Sequence, residues 1–309
     1  VSGAWISGSV RARLVVTERR LGREGARELA EAPALRDALV VLGRSPYRRE
    51  ISLELGLEEA QRALAAKTLL DLRLLAGWLP QDALALLRTL AGWFELANIE
   101  ERIAYLGGAP GRRPFELGSL ASAWPKASAA QSLEELRRAL APSGWGDPGG
   151  ETPAELGLGL RLAWARRVAD TAPGARHWAA GAVALLVAQF LFVAGVPVEA
   201  LPLPHVRLLG SAWQDAGTYA RFVEVLPPEA AWPLVGTESP AELWRAETSW
   251  WRRVEDDADA LLHRPLGDPE VVVGAAALLA ADAHRASAAL AAAARRALPG
   301  VEEAFDAAA

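Results

Sequence analysis

The 309 residues are 51% hydrophobic and 23% charged, enough apolar side chain for a packed core and enough charge for a solvated surface. A net charge of −5 gives no basic footprint for a nucleic-acid backbone. The absence of cysteine excludes disulfide frameworks, thiolate metal sites and cysteine nucleophiles, and makes a reducing, cytoplasmic setting the expectation.

Taken in chain order, the predicted elements are helices. Apolar residues recur three and four apart from end to end, whereas alternating β-branched runs are scarce, so the predicted class is all-α with at most two short strands. The opening Val1-Ser2-Gly3-Ala4-Trp5 lacks a basic region followed by an apolar run, so no secretory signal is expected there. Ser7-Gly8-Ser9-Val10 opens an entry helix, and Pro46-Tyr47 marks a turn. Glu58 to Leu75 places Ala60, Leu64, Ala65, Thr68, Leu72 and Leu75 on one helix face. Ala83 to Tyr105 reads as one long helix before Gly107-Gly108.

The second third begins with Leu117-Gly118-Ser119-Leu120, followed by a helix over Leu133 to Leu140 and a connector from Trp145 to Gly150. Gly144, Gly146 and Gly149 fit G-x-G-x-x-G, but a dinucleotide loop follows a strand and opens a helix; this one follows a helix and contains Pro148, and it reads as a linker. Thr152-Pro153-Ala154-Glu155-Leu156 has the order of a capping box, with the hydroxyl at the cap, proline at the first helical position and Glu placed to reach back. Trp178 to Val198 is almost continuously apolar, close to the about 20 residues of a membrane span. Its Ala and Gly content, Gln189 and Pro197 favour a buried core helix, with a membrane span as the other reading.

The final third opens on Leu209-Gly210-Ser211-Ala212 and carries a second capping sequence, Ser239-Pro240-Ala241-Glu242-Leu243. Trp251 and Arg253 follow it in the register in which Trp164 and Arg166 follow the first. Leu266-Gly267-Asp268-Pro269 breaks the chain before a last helix over Val271 to Ala297. The Gly-Ser signature returns every roughly 90–110 residues, a period that predicts a repeat architecture. The expected divisions are 1–112, 113–204 and 205–309, each an entry helix, short helices, a turn and a longer hairpin.

Chemistry is sparse. No Lys follows a Gly at P-loop spacing, so no nucleotide site is expected; no G-x-S-x-G elbow or H-E-x-x-H occurs, and His177, His205, His263 and His284 are scattered. Glu255, Asp256, Asp257 and Asp259 precede His263, and Asp259 and His263 share a helix face; a metal there needs further ligands from elsewhere, and a solvated acidic face explains the run without one. Neither a cofactor, a metal nor a catalytic residue is expected. Twelve Trp against three Tyr is an unusual skew, read as packing within helical hairpins, with interface anchoring as the alternative.

One segment is more specific. Leu90-Ala91-Gly92-Trp93-Phe94-Glu95-Leu96-Ala97-Asn98-Ile99, then Arg102 and Gly107-Gly108, resembles the end of the first repeat in the C subunit of bacterial and archaeal V/A-type ATPases, a family similar to the d subunit of the vacuolar enzyme. Pro114-Phe115-Glu116-Leu117-Gly118-Ser119-Leu120, Ser9 to Arg13 with Pro46-Tyr47, and Val272-Val273-Gly274-Ala275 also resemble that family. The resemblance implies a three-lobed helical funnel without catalytic activity, which seats a central shaft on the membrane proteolipid ring and is cytoplasmic and peripheral to the membrane through those partners. Glu95, Asn98 and Arg102 are the candidate partner-contact residues, with a local network tying the helix to the following turn as the alternative. The last helix departs from the pattern: it reads Asp282-Ala283-His284-Arg285, and Asn98 is the protein's single asparagine. That departure leaves open a stand-alone helical scaffold descended from the family.

Overall fold

The computed structural model describes residues 3–202 and 205–296. In chain order its α-helices are α1 (Gly3–Arg19), α2 (Gly22–Glu31), α3 (Leu35–Leu42), α4 (Leu57–Ala76), α5 (Gln81–Leu90), α6 (Gly92–Leu106), α7 (Trp124–Ala127), α8 (Leu133–Leu140), α9 (Pro153–Thr171), α10 (Arg176–Ala188), α11 (Tyr219–Val225), α12 (Pro228–Ala231), α13 (Leu243–Leu262) and α14 (Glu270–Arg296). Short 3₁₀ turns connect several of them, and no strand occurs among the described residues. The class is all-α.

By compactness the chain forms two units, Val1–Pro80 with Ala258–Ala309, and Gln81–Asp257. These divisions are spatial and do not follow the repeat boundaries at 112/113 and 204/205, which rest on sequence similarity. In the first unit α1 and α4 pack on each other and on α14, while α2 and α3 cover another part of α14. The spacing of α4 explains its role: Ala60, Leu64, Thr68, Leu72 and Leu75 are buried, and Leu64 joins Leu29, Leu39, Leu42, Tyr47 and Leu290 in one core. The Gly-Ser signature serves this packing. A side chain at Gly8 would press on Leu79, and buried Ser9 accepts the Gly267 amide at 2.9 Å.

The second unit is layered on α9, which packs on α5, α6 and α10. Its capping sequence works as read: Thr152 Oγ1 accepts the Glu155 amide at 3.3 Å, and Glu155 accepts the amides of Thr152 and Glu151. Those amides hold the Glu155 carboxyl below its usual range. At Ser239 the box does not form. Glu242 accepts the Glu238 amide at 2.8 Å, but the Ser239 hydroxyl makes no cap bond, because Pro240–Glu242 is a 3₁₀ turn before α13.

Two other expectations are corrected. Ala83 to Tyr105 is two helices rather than one: the Thr89 carbonyl accepts the Trp164 indole at 2.9 Å, and Gly92 lies under that indole, where a Cβ would sit 3.0 Å from Trp164. The Gly-Ser signature is helical only in α1; Gly118–Leu120 is a 3₁₀ turn, and Gly210 ends another at φ 68°, a conformation open to glycine. Trp178 lies in α10, which is buried against α9 and α12 and gives way to a π-turn over Gln189–Val193. Pro173–Val193 and Glu270–Arg296 are each long and apolar enough to cross a membrane, and 44% and 67% of their most apolar windows are buried within the fold. Ala297, the expected end of the last helix, lies outside the described residues.

Candidate functional site

Glu95, Asn98 and Arg102 stand at i, i+3 and i+7 on α6 and therefore share one face. Glu95 Oε1 accepts three consecutive backbone amides, those of Ser122, Ala123 and Trp124, at 2.7, 2.8 and 2.8 Å. Its Oε2 accepts the Trp145 indole at 2.8 Å and the Ser122 hydroxyl. One turn on, Asn98 pairs with the backbone of Phe115 in both directions: Oδ1 accepts the amide at 2.7 Å and Nδ2 donates to the carbonyl at 2.9 Å. Arg102 donates to the Ala130 carbonyl, with Nε at 3.0 Å. The three side chains thus clamp the segment from Phe115 to Ala130 along α6.

For Glu95 and Asn98 these bonds are the local network tying the helix to the following segment, the alternative to partner contact. Glu95 is 1% exposed and Asn98 is fully buried, so neither presents a surface to a partner; both hold the fold together. Buried polar groups must be bonded internally, and here all the bonds close inside one unit. Arg102 is half-buried, with its guanidinium 5.0 Å from the Tyr105 ring centre. It is also occupied by the turn it holds.

A second carboxylate organises the other unit in the same way. Asp282 on α14, 2% exposed, accepts the Gly22 amide on Oδ1, and the Leu21 amide and Tyr47 hydroxyl on Oδ2, each at 2.8 Å. Burial, then the neighbouring Asp282 carboxylate, pushes the Tyr47 phenol far above its ordinary value, so it acts as a fixed donor. Tyr47 and Trp145 are local counterparts. The Ser45 hydroxyl donates to the Leu42 carbonyl at 2.7 Å and accepts the Tyr47 amide at 3.1 Å; the Ser143 hydroxyl donates to Leu140 at 2.6 Å and accepts the Trp145 amide at 3.1 Å. A cation from the next long helix covers each ring, Lys67 at 4.6 Å over Tyr47 and Arg167 at 4.8 Å over Trp145. Burial lowers the Arg167 pKa, and the Glu95 carboxylate partly offsets that.

The shared arrangement is therefore a carboxylate on a long helix, an aromatic donor after a serine turn, and a cation over the ring. In the last third only the hydroxyl turn recurs: Thr237 donates to the Leu234 carbonyl at 2.6 Å, and Ser239 stands where the aromatic residue would be. A signal for the pair was present in the sequence as Leu42-x-x-Ser45-x-Tyr47 and Leu140-x-x-Ser143-x-Trp145, each position 98 residues after its counterpart. Lys67 has a further buried partner, Asp71, at 2.5 Å, and Asp71 also takes Arg19 at 2.9 Å.

The acidic run does not assemble. Asp257 turns to His177 at 2.7 Å, Trp178 at 3.1 Å and Arg253 at 2.8 Å. Burial raises the Asp257 carboxyl, but these hydrogen bonds outweigh it and hold it below the usual range. His263 and Asp259 are exposed and 3.6 Å apart, and among the described residues no group of three His, Asp or Glu side chains converges on a metal-sized space. Gly146, Gly149 and Gly150 adopt positive φ in a loop pinned by Arg137 to Asp147 at 2.9 Å. That loop, with Glu151, Thr152, Glu155 and Glu199 to Pro202, lines a cavity of about 390 Å³. Its carboxylates and its place beside a capping Glu suit it poorly to phosphate. No protein-family model and no curated protein matches this sequence.

Proposed function

We propose that the chain is a non-catalytic docking subunit of the rotary-ATPase central stalk, joining shaft subunits to the proteolipid ring in proton or sodium transport. The observation that carries the reading is the α6 clamp. Its acidic-Asn-basic residues are those on which the sequence resembles the V/A-type C subunit, and they act together on the following turn. The recurrence of the carboxylate and aromatic pair at Asp282 and Tyr47 fits a protein built from repeated helical units. The reading carries with it a funnel of three repeats, a cytoplasmic place at the membrane surface, and torque borne by packing rather than by chemistry, since close-packed interiors are barely compressible.

The test is affinity isolation of the tagged full chain from detergent-solubilised membranes of its native cells, with mass spectrometry of what accompanies it. Proteolipid and shaft subunits in fixed proportion support the reading; their absence under conditions that keep a rotary ATPase intact overturns it. A second reading, a stand-alone scaffold, is favoured by α14, which keeps the carboxylate at Asp282 but has no asparagine after it, with Arg285 three residues on where the Glu95–Asn98 spacing would place one. Flanking genes that encode no ATPase subunits would favour the scaffold.

A further inference from the structure

His205 ties together the two walls of the cavity beside the Thr152 box. One wall is built from Gly149 to Thr152 with Glu155, the other from residues 199–202. They meet at a seam, where a Cβ on Gly149 would lie 3.5 Å from the Pro202 Cβ. The His205 imidazole, on a residue 6% exposed, stands with Nε2 3.1 Å from the Asp147 carbonyl, and the His205 amide donates to the Pro202 carbonyl at 2.9 Å. The two walls are held unequally. Arg137 bonds both Asp147 carboxylate oxygens, at 3.0 and 2.9 Å, and the Gly150 carbonyl at 3.0 Å, while Pro148 packs on the backbone at Gly159. Among the described residues, those from 197 to 202 hydrogen-bond only with one another and with His205, and Leu201, 4% exposed, is their apolar anchor.

A carbonyl can only accept, so the neutral imidazole carries its hydrogen on Nε2 and a lone pair on Nδ1. Nδ1 is buried and has no hydrogen-bond partner. A second proton there creates an unbonded N–H and a full charge in a site poor in water. Two charged groups act on the ring from the elements around it: Asp147, whose carboxylate is committed to Arg137 of α8, and Arg166 of α9, which repels a second cation. α10, packed on the next turn at Arg207–Leu209, carries its ionisable groups, Arg176 and His177, in its first turn; Glu199 and Arg207, on the same stretch of chain as His205, are exposed. Burial, with a smaller contribution from Arg166, holds the imidazole below its ordinary value against the Asp147 carbonyl and carboxylate.

We infer that His205 is a pH-sensitive latch: neutral, it fastens residues 199–202 to the pinned loop; protonated, it releases them and opens the cavity that Glu151, Glu155 and Glu199 line. A released imidazole titrates near its ordinary 6.5, and the latched one lower. The latched form is therefore fully favoured above about 6.5 and loses ground as the pH falls, by at most about tenfold per pH unit, until the latched imidazole is charged as well. Nothing in this device depends on the rotary-ATPase reading.

Hydrogen exchange of the full chain at pH 7.5 and 5.5, read by mass spectrometry and corrected for the intrinsic pH dependence of amide exchange, measures the release. Protection over residues 199–205 should fall about three- to tenfold between the two, and should lie below that of α9 at both. His205→Gln keeps a side-chain N–H for the Asp147 carbonyl but does not titrate, so its protection there should be equal at the two pH values. His205→Ala should be as weakly protected at pH 7.5 as the wild type is at 5.5; circular dichroism checks that each variant keeps its helix content. A change below about twofold in the wild type, or the same fall in His205→Gln, overturns the proposal. So does protection of 199–205 equal to that of α9 at both pH values, which would mean that this wall leaves only when the whole fold does.

Discussion

A carboxylate that gathers three successive backbone amides does for a turn what a capping residue does for a helix: it supplies the acceptor that the chain itself cannot. Glu95 does this from a buried position, so its removal takes the acceptor from three amides and leaves the Trp145 indole only the Ser122 hydroxyl, at 3.3 Å. Unmet buried donors cost about 1–3 kcal/mol each, less than additively. Glu95→Ala should therefore lower stability by about 3–5 kcal/mol, and Glu95→Gln, which keeps one acceptor, by about 1–3 kcal/mol. Urea midpoints measure both, and a loss below about 1 kcal/mol for Glu95→Ala would sink the clamp's structural role. Histidine sets the pH response. Burial, with a smaller contribution from Arg166, lowers the His205 pKa from 6.5 against the opposing bond to the Asp147 carbonyl; burial and Arg285 lower that of His284. The unfolded chain then takes up these protons before the folded one does. Stability is fully present above about 6.5, falls as the pH drops below it, and stops falling from this source once the folded imidazoles are also charged. Urea midpoints between pH 7.5 and 5 should fall, and His205→Gln should flatten part of that slope.

At the scale of elements, glycine positions separate tight from open contacts within one helix. A Cβ at Gly159 in α9 would lie 1.9 Å from the Pro148 carbonyl oxygen, so backbone packs on backbone there. At Gly157, two residues earlier, the nearest atom is Glu100 Oε1 at 3.7 Å. Gly159→Ala should destabilise by about 1–3 kcal/mol or more through overpacking. Gly157→Ala should stabilise by about 0.4–1 kcal/mol by restricting the unfolded chain, and thermal melts of the pair should shift in opposite directions. The same contrast shows what was legible in the sequence. Local rules were readable: the periodicity of α4, the Thr152 box and the shared face of Glu95, Asn98 and Arg102 follow from spacing along one helix. What came from elsewhere in the chain was not. The break between α5 and α6 depends on Trp164, far away in sequence, and the donors that bury Glu95 lie on the segment from Ser122 to Trp145. The resemblance singled out the three residues, and spacing set them on one face, but neither could tell a buried clamp from a docking surface, because their partners are non-local.

For the whole molecule, the two compact units make unequal demands on chain connectivity. Gln81–Asp257 is one continuous stretch with its own core, in which Ile99 and Ile103 of α6 meet Leu136, Leu140, Trp145, Leu156 and Leu160. Every bond of the Glu95, Asn98 and Arg102 clamp also closes inside it. The other unit is assembled from the two ends of the chain. Its core joins Leu29, Leu39, Leu42 and Leu64 to Ala286, Leu290 and Ala293 of α14, and Asp282 supplies the acceptor for Leu21, Gly22 and Tyr47. Without α14, residues 1–80 would expose that apolar side and leave the Tyr47 hydroxyl without its buried partner. An independently folding domain needs its own closed core. A fragment of residues 81–257 should therefore keep a helical circular dichroism spectrum and melt in one cooperative step. A fragment of residues 1–80 should show neither, and adding α14 as a separate peptide covering residues 268–296 should restore helix content to it. Cooperative melting of 1–80 alone would mean that α1 to α4 close a core unaided, with Asp282 and α14 dispensable to it.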